Sequence, residues 1–308
     1  MNIEFFSGTL KFRFRKYELI TVGYLAATAL LAILSFTVVP QWKRVVLTQT
    51  GFIFLITLGT LVNEKHPRII QIVRDWYLLA LFPMIFKNLT FISTALLPLY
   101  LEPLLIWSDK ALYSLYFSFS PFHEPSVFFT ELMAFSYWSY YIILPAVGLL
   151  IYLKFPKQDF EYYMLKVCAA LVFCYILFIL VPVRGPHHSM PGVDPLQIEG
   201  GFFLWMIRTI QSQGSVVGAA FPSSHIAVAW ISIFALRQID KRLYYILTPI
   251  AMLMMVSVFY LKYHYVLDAV FGYLLALALE RIFKTFETQI RTGFRSEAPQ
   301  HSLQSPSF

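Results

Sequence analysis

An all-α, polytopic membrane bundle of about eight transmembrane helices, with N- and C-termini cytoplasmic, is the fold this 308-residue sequence predicts. Three observations carry that reading. Hydrophobic residues make up 58% of the chain and charged residues 13%, where soluble domains carry roughly 25% charged residues. Apolar runs of about 17 to 25 residues, the length that crosses a bilayer, recur from end to end. Lysine and arginine are also unevenly shared between alternate loops: sixteen fall where an inside N-terminus puts cytoplasm, and six at the opposite face. That bias favours an even number of spans. It also means that the net charge of +7 is a loop asymmetry and no sign of nucleic-acid affinity.

Residues 1–16 (MNIEFFSGTLKFRFRK) form a cytoplasmic N-terminus bearing Lys11, Arg13, Arg15 and Lys16. The following apolar run is too long for a signal-peptide core and lacks a small-x-small cleavage site, so it is expected to be a retained span. Transmembrane helices near 17–39, 46–63, 76–97 and 127–153 compose an N-terminal unit, 17–153. Between them, 98–126 is too broken by proline and charge for a crossing and reads as interfacial or re-entrant, with Asp109 solvated. A core over 160–285 holds four further spans, near 164–183, 222–237, 243–262 and 265–284; residues 286–308 are a cytoplasmic tail of disordered composition. Cys168 and Cys174 share one apolar run with no histidine nearby, which fits small apolar packing and neither a disulfide nor a metal site. Lys87 falls inside the third span, where a charge needs a partner or a function. Glu131 is a candidate partner, unless a break at Pro83 brings Lys87 to an interface. Residues 200–211 (GGFFLWMIRTIQ) are amphipathic, suited to the outer leaflet or to packing on the bundle.

This topology brings polar residues from distant spans to one face. Arg184 ends the fifth span, Ser223 to His225 open the sixth, Lys262 ends the seventh, and His264 with Asp268 open the eighth. In KYHYVLDAVFGY, His264 and Asp268 are four apart and share a face if helical. A carboxylate accepting from one imidazole nitrogen leaves the other basic, able to act as nucleophile or base. Taken alone, the pair reads equally well as a tether between helices. In AAFPSSHIAVAW, Pro222 and the serines make a helix start whose first N–H groups point at the outer face, an anion site. His225 lies one turn in, placed to protonate a leaving oxygen. Arg184 offers a planar fork that matches phosphate, although interfacial arginines also snorkel. A cation, an anion-binding helix start, a general acid and an activated nucleophile at one depth describe phosphoryl transfer. His187 and His188 adjoin Arg184 without a carboxylate or cysteine at ligand spacing, so loop exposure is the simpler reading.

FPSSH followed by HYVLD, with an arginine and proline at the end of an earlier span, resembles the type 2 phosphatidic acid phosphatase superfamily over about residues 160–285. The upstream RDW (Arg74 to Trp76), together with RGPHH and YHYVLD, is more similar to its inositol phosphorylceramide synthase-like branch. The resemblance implies a lipid-phosphate substrate, reaction through a phosphohistidine, and no cofactor or metal. By position His264 is then the nucleophile, Asp268 its orienter and His225 the general acid, with Arg184, Ser223 and Ser224 on the phosphate oxygens. A multi-pass protein of a bacterial cytoplasmic (inner) membrane is expected, with its site on the outer face as the loop charges place it.

Two positions depart from the family pattern. The arginine expected six residues before the nucleophilic histidine is Val258, and the lysine expected seven before Arg184 is Leu177. Lys262 is a candidate replacement, but on an ideal helix it would point about 200° away from His264, so a bent or frayed end is required. The resemblance leaves open whether water or an alcohol accepts the phosphoryl group; hydrolysis is favoured because it needs no second site. A non-enzymatic transporter is disfavoured, since broken transporter helices lie at mid-membrane in paired repeats and no repeat is present.

Overall fold

In the computed structural model, residues 4–7, 10–63, 65–96, 102–117, 126–189 and 198–287 are described. The tail beyond 287 and the ends of the 98–126 segment lie outside them. The chain begins with an antiparallel hairpin, β1 (Glu4–Ser7) and β2 (Leu10–Arg13), in the register Glu4↔Arg13. This element was not expected from the N-terminal sequence. Thirteen α-helices follow among the described residues, beginning with α1 (Lys16–Leu34), α2 (Trp42–Gly59), α3 (Arg68–Asn88), the short α4 (Ser93–Leu96) and α5 (Glu102–Phe117). Next come α6 (Val127–Trp138) and α7 (Tyr140–Lys154), then α8 (Lys157–Leu180), the short α9 (Pro186–Ser189) and α10 (Phe202–Gly214). The chain closes with α11 (Ser224–Ile239), α12 (Lys241–Tyr260) and α13 (Val266–Thr285).

Each expected span has a helical counterpart, and the expected 127–153 is a pair, α6 and α7, bent by 40°. Among the described residues, four helices are long and apolar enough to cross a membrane: α1, α3 with its 3-10 extension to Phe91, α8 and α12; the bent pair makes five if it is one span. The shortfall against eight has physical causes. α2 has only 18 residues and carries Lys43 and Arg44 in its first turn, α11 is apolar but only 16 residues long, and α13 carries Asp268, Glu280 and Arg281. The apolar helices mark a membrane protein. Leu34, Leu47, Phe128 and Leu153 are each more than 70% exposed, a burden that lipid relieves and water does not.

α11 is the hub. It packs against α7, α8, α12 and α13, which is why it is apolar all round and buried from Ile226 to Ile233. Gly272 lets α13 close on its start: a Cβ there would lie 2.6 Å from the Ser223 carbonyl oxygen. Gly272→Ala is therefore expected to push the two helix starts apart. Such misplacement costs on the order of 10²-fold in turnover, read as kcat in purified protein whose melting temperature is nearly kept.

The opposite end of α8 is locked by charge. Arg15 pairs with Asp75, approaches Glu161 at 3.4 Å and donates to the Tyr17 hydroxyl at 2.5 Å. Asp75 also accepts from Tyr152 at 2.8 Å and lies 3.2 Å from Lys157. Glu18 takes the Arg15 N–H at 2.7 Å and the Tyr77 hydroxyl at 3.1 Å. The RDW stretch thus belongs to this clamp: Arg74 donates to the carbonyls of Val62 and Arg13, and Trp76 packs on Phe160 and against Gly148. Within the bundle, Lys166 of α8 and Glu280 of α13 form an ion pair of 2.8 Å. Cys168 and Cys174 are buried, unbridged filler.

Several local expectations change. α3 begins eight residues before the expected start of that span and runs through Pro83 to Asn88, so Lys87 stands in its last turn and no longer mid-span. Glu131 does not meet Lys87; it accepts the N–H groups of Gly201, Phe203 and Leu204 and caps α10. The segment expected to be amphipathic is that helix, with Leu204 and Ile207 inward and Phe202 and Trp205 outward. Asp109 is not solvated. It is buried and accepts the Val266 N–H at 3.1 Å, at the start of α13.

Candidate active site

The two motif histidines meet because two helix starts are laid side by side. Ser223 donates its N–H to the Asp268 carbonyl at 3.0 Å, which sews the beginning of α11 to the first turn of α13. Ser223 occupies the N-cap with extended backbone, yet its side chain makes no capping bond. Its Oγ instead lies 3.5 Å from His264 Nε2. The helix start therefore keeps its early N–H groups without a side-chain cap, as an anion site needs.

His264 is not on a helix. α13 begins at Val266, and the residues before it form a turn in which Lys262 adopts a left-handed backbone, φ 65°. Asp268, in the first helical turn, reaches back with one oxygen to the Tyr265 N–H at 2.8 Å and to His264 Nδ1 at 3.3 Å. The Ala220 carbonyl approaches the same Nδ1 at 2.9 Å. Two acceptors facing Nδ1 hold the proton there, and the Nε2 lone pair is left to point at Ser223 Oγ and the neighbouring cavity. The pairing inferred from i,i+4 spacing is thus real, but a cap makes it, and a helix face does not.

His225 faces His264 with ring centroids 6.2 Å apart. Tyr140, Tyr137 and Tyr141 surround its ring at 4.7, 5.3 and 6.2 Å. Its Nδ1 is buried without a hydrogen-bond partner. Both histidines, with Ser224, His187 and His188, line a cavity of about 790 Å³ enclosed by α3, α6, α7, α8 and α10. Pro83 and Pro145 also line it, and each removes the helical donor to a carbonyl four residues earlier, on Leu79 and Tyr141. His187 donates its backbone N–H to the Lys262 carbonyl at 3.2 Å. Burial and the adjacent His188 push the His187 imidazole down to about 4, and burial with Arg184 nearby lowers His188.

The sequence-predicted cations are placed elsewhere. Arg184 gives its backbone N–H and its Nε, each at 2.8 Å, to one oxygen of Glu102 on α5, and Nη2 approaches the other oxygen at 3.4 Å. Neither Arg184 nor Lys262 is among the residues lining the cavity. α5 thus brings carboxylates to this face that sequence reasoning did not foresee. Burial raises the Asp109 carboxyl to about 6, beside Asp268 and Lys262. The structure brings His225, His264, Asp268, Ser223 and Ser224 together, and sets Arg184 on Glu102.

A buried histidine–carboxylate pair faces a second histidine beside a helix start without a side-chain cap, an arrangement chemically suited to displacement at phosphorus. The family profile of the PAP2 superfamily matches residues 113–281, just over half of the chain, and the protein belongs to that superfamily. Membership points to a phosphatase-type function. No curated protein and no solved structure matches the chain.

Proposed function

We propose that the protein is a membrane lipid-phosphate phosphatase that hydrolyses a phosphomonoester or pyrophosphate through a phosphohistidine on His264. The observation that supports it best is the pair of acceptors on His264 Nδ1, which leaves Nε2 nucleophilic beside the cavity. Nε2 attacks phosphorus as the bond to the lipid oxygen breaks. The departing electron pair takes a proton from His225, and the uncapped N–H groups of α11 hold the phosphoryl oxygens. Water deprotonated by His225 then cleaves the N–P bond, releasing inorganic phosphate and restoring both rings. Preorganised donors supply the charge stabilisation.

The same first step serves a phosphotransferase of the inositol phosphorylceramide synthase-like type if an alcohol replaces water. Detergent-purified protein incubated with radiolabelled lipid phosphates, with and without lipid alcohols, separates the two. Release of inorganic phosphate is expected; label moved to a second lipid identifies a transferase, and neither product sinks both. Eight spans with both termini inside place the site at the outer face of a cytoplasmic membrane. A Gly192→Cys variant should then react with an impermeant thiol reagent in intact cells, against a low background because Cys168 and Cys174 are buried. Labelling only after lysis would invert this topology.

A further inference from the structure

Among the described residues lining the cavity there is one lysine, Lys87, and no arginine, aspartate or glutamate. The other titratable groups are the four histidines and the tyrosines. The two cations of the family pattern are replaced by Val258 and Leu177, and Arg184 is engaged by Glu102. A cavity of this size whose described lining holds one lysine and no carboxylate favours an anionic ligand.

Lys87 is an exposed side chain of the same cavity lining as the histidines. Its Nζ donates to the Ser215 carbonyl at 3.2 Å, at the C-terminal end of α10. From there the chain runs along the cavity to Ala220, whose carbonyl approaches His264 Nδ1. Between these ends Ser93 Oγ holds the Val217 carbonyl at 3.3 Å, and Val183 bonds the Gly218 carbonyl and the Ala220 N–H, each at 3.0 Å. Lys87 and His264 therefore anchor opposite ends of one short segment. α3, which carries Lys87, is itself fixed to α8: Tyr175 donates to the Phe82 carbonyl at 3.2 Å, and Phe82 and Phe86 pack on its ring. A lysine ammonium has three donors. Ser215 uses one and orients the group.

We propose that Lys87 is a substrate-binding residue, a cation supplied from outside the 113–281 segment that holds the anionic head group of the lipid phosphate in the cavity. This rests on the lipid-phosphate reading above. It accounts for a charge near the end of a membrane helix with no carboxylate partner in the cavity, and for the loss of cations at Val258 and Leu177. The reacting histidines then come from the family segment, and affinity for the anion comes in part from the N-terminal unit.

The test separates binding from chemistry. The probe is a dioctanoylglycerol phosphonate, in which a methylene replaces the ester oxygen so that no turnover occurs; its Kd is measured by titration calorimetry. Lys87→Met is expected to weaken binding on the order of 10- to 100-fold, the range for loss of a charge-assisted bond. Lys87→Arg should remain within about 3-fold of the parent. With dioctanoyl phosphatidate as substrate, KM should rise in Lys87→Met while kcat stays within about 3-fold, because uniform binding alone is lost. An unchanged Kd in Lys87→Met, or Lys87→Arg as weak as Lys87→Met, overturns the proposal. Full turnover in His264→Ala would remove the phosphohistidine reading and leave the phosphonate Kd to decide on Lys87.

Discussion

His264→Ala is expected to abolish phosphate release, lowering kcat by at least about 10⁴-fold, with expression and melting temperature retained. The size of the effect follows from covalent catalysis: no other group replaces a nucleophile, and members of such a unit act together, so one loss removes most of the rate. The side chain is buried but meets only Ala220, Asp268 and Ser223 through polar atoms, so its removal leaves the bundle standing. Asp268→Asn is expected to be milder, on the order of 10²- to 10⁴-fold, because it disturbs the tautomer and leaves the nucleophile in place. Acid-labile, base-stable label on the protein during turnover with radiolabelled substrate should appear in the parent and be missing from His264→Ala. Turnover in His264→Ala within 10-fold of the parent would show that another group attacks phosphorus.

Arg15→Met is expected to be the most destabilising of the simple substitutions, by about 3 kcal/mol. The cost comes from carboxylates left in a buried place, Glu18 and Asp75 being at most 1% exposed. It falls at the low end of the range for breaking a buried pair because Lys157 and Tyr152 still reach Asp75. A denaturant titration of the detergent-solubilised protein reads this change. Residual kcat per folded molecule should be near that of the parent, since the clamp and the histidines sit at opposite ends of α8, which is about 36 Å long at 1.5 Å per residue. Replacing both partners, Arg15→Met with Asp75→Leu, should recover part of the loss. No recovery would show that the clamp acts through Glu161 and Tyr17.

The PSSH and HYVLD motifs were legible because their chemistry is local. A proline and serines before an apolar run make a helix start, and a histidine followed by an aspartate in a first turn makes an oriented imidazole. Their meeting was legible only through loop charges, which assigned both to one face. What pairs with a long side chain was not legible. Arg184 finds Glu102 across 82 residues of chain, Glu131 leaves Lys87 for the start of α10, and Asp109 leaves solvent for the start of α13. Each outcome depends on which elements touch, and an interfacial segment such as α5 carries no periodicity that says so.

By itself the sequence determined the helical membrane class, the two motif histidines and their aspartate, the missing cations at Leu177 and Val258, and the apolar fate of Cys168 and Cys174. These follow from hydropathy, spacing and residue chemistry, which are properties of short stretches. Only the tertiary structure decided that Asp268 meets His264 through a cap, that Ser223 turns its hydroxyl to the site, that α5 engages Arg184, and that Lys87 is the one lysine among the described residues lining the cavity. The physical reason is that a charge in a low-dielectric bundle takes whatever partner packing brings near, and packing is set by the whole chain.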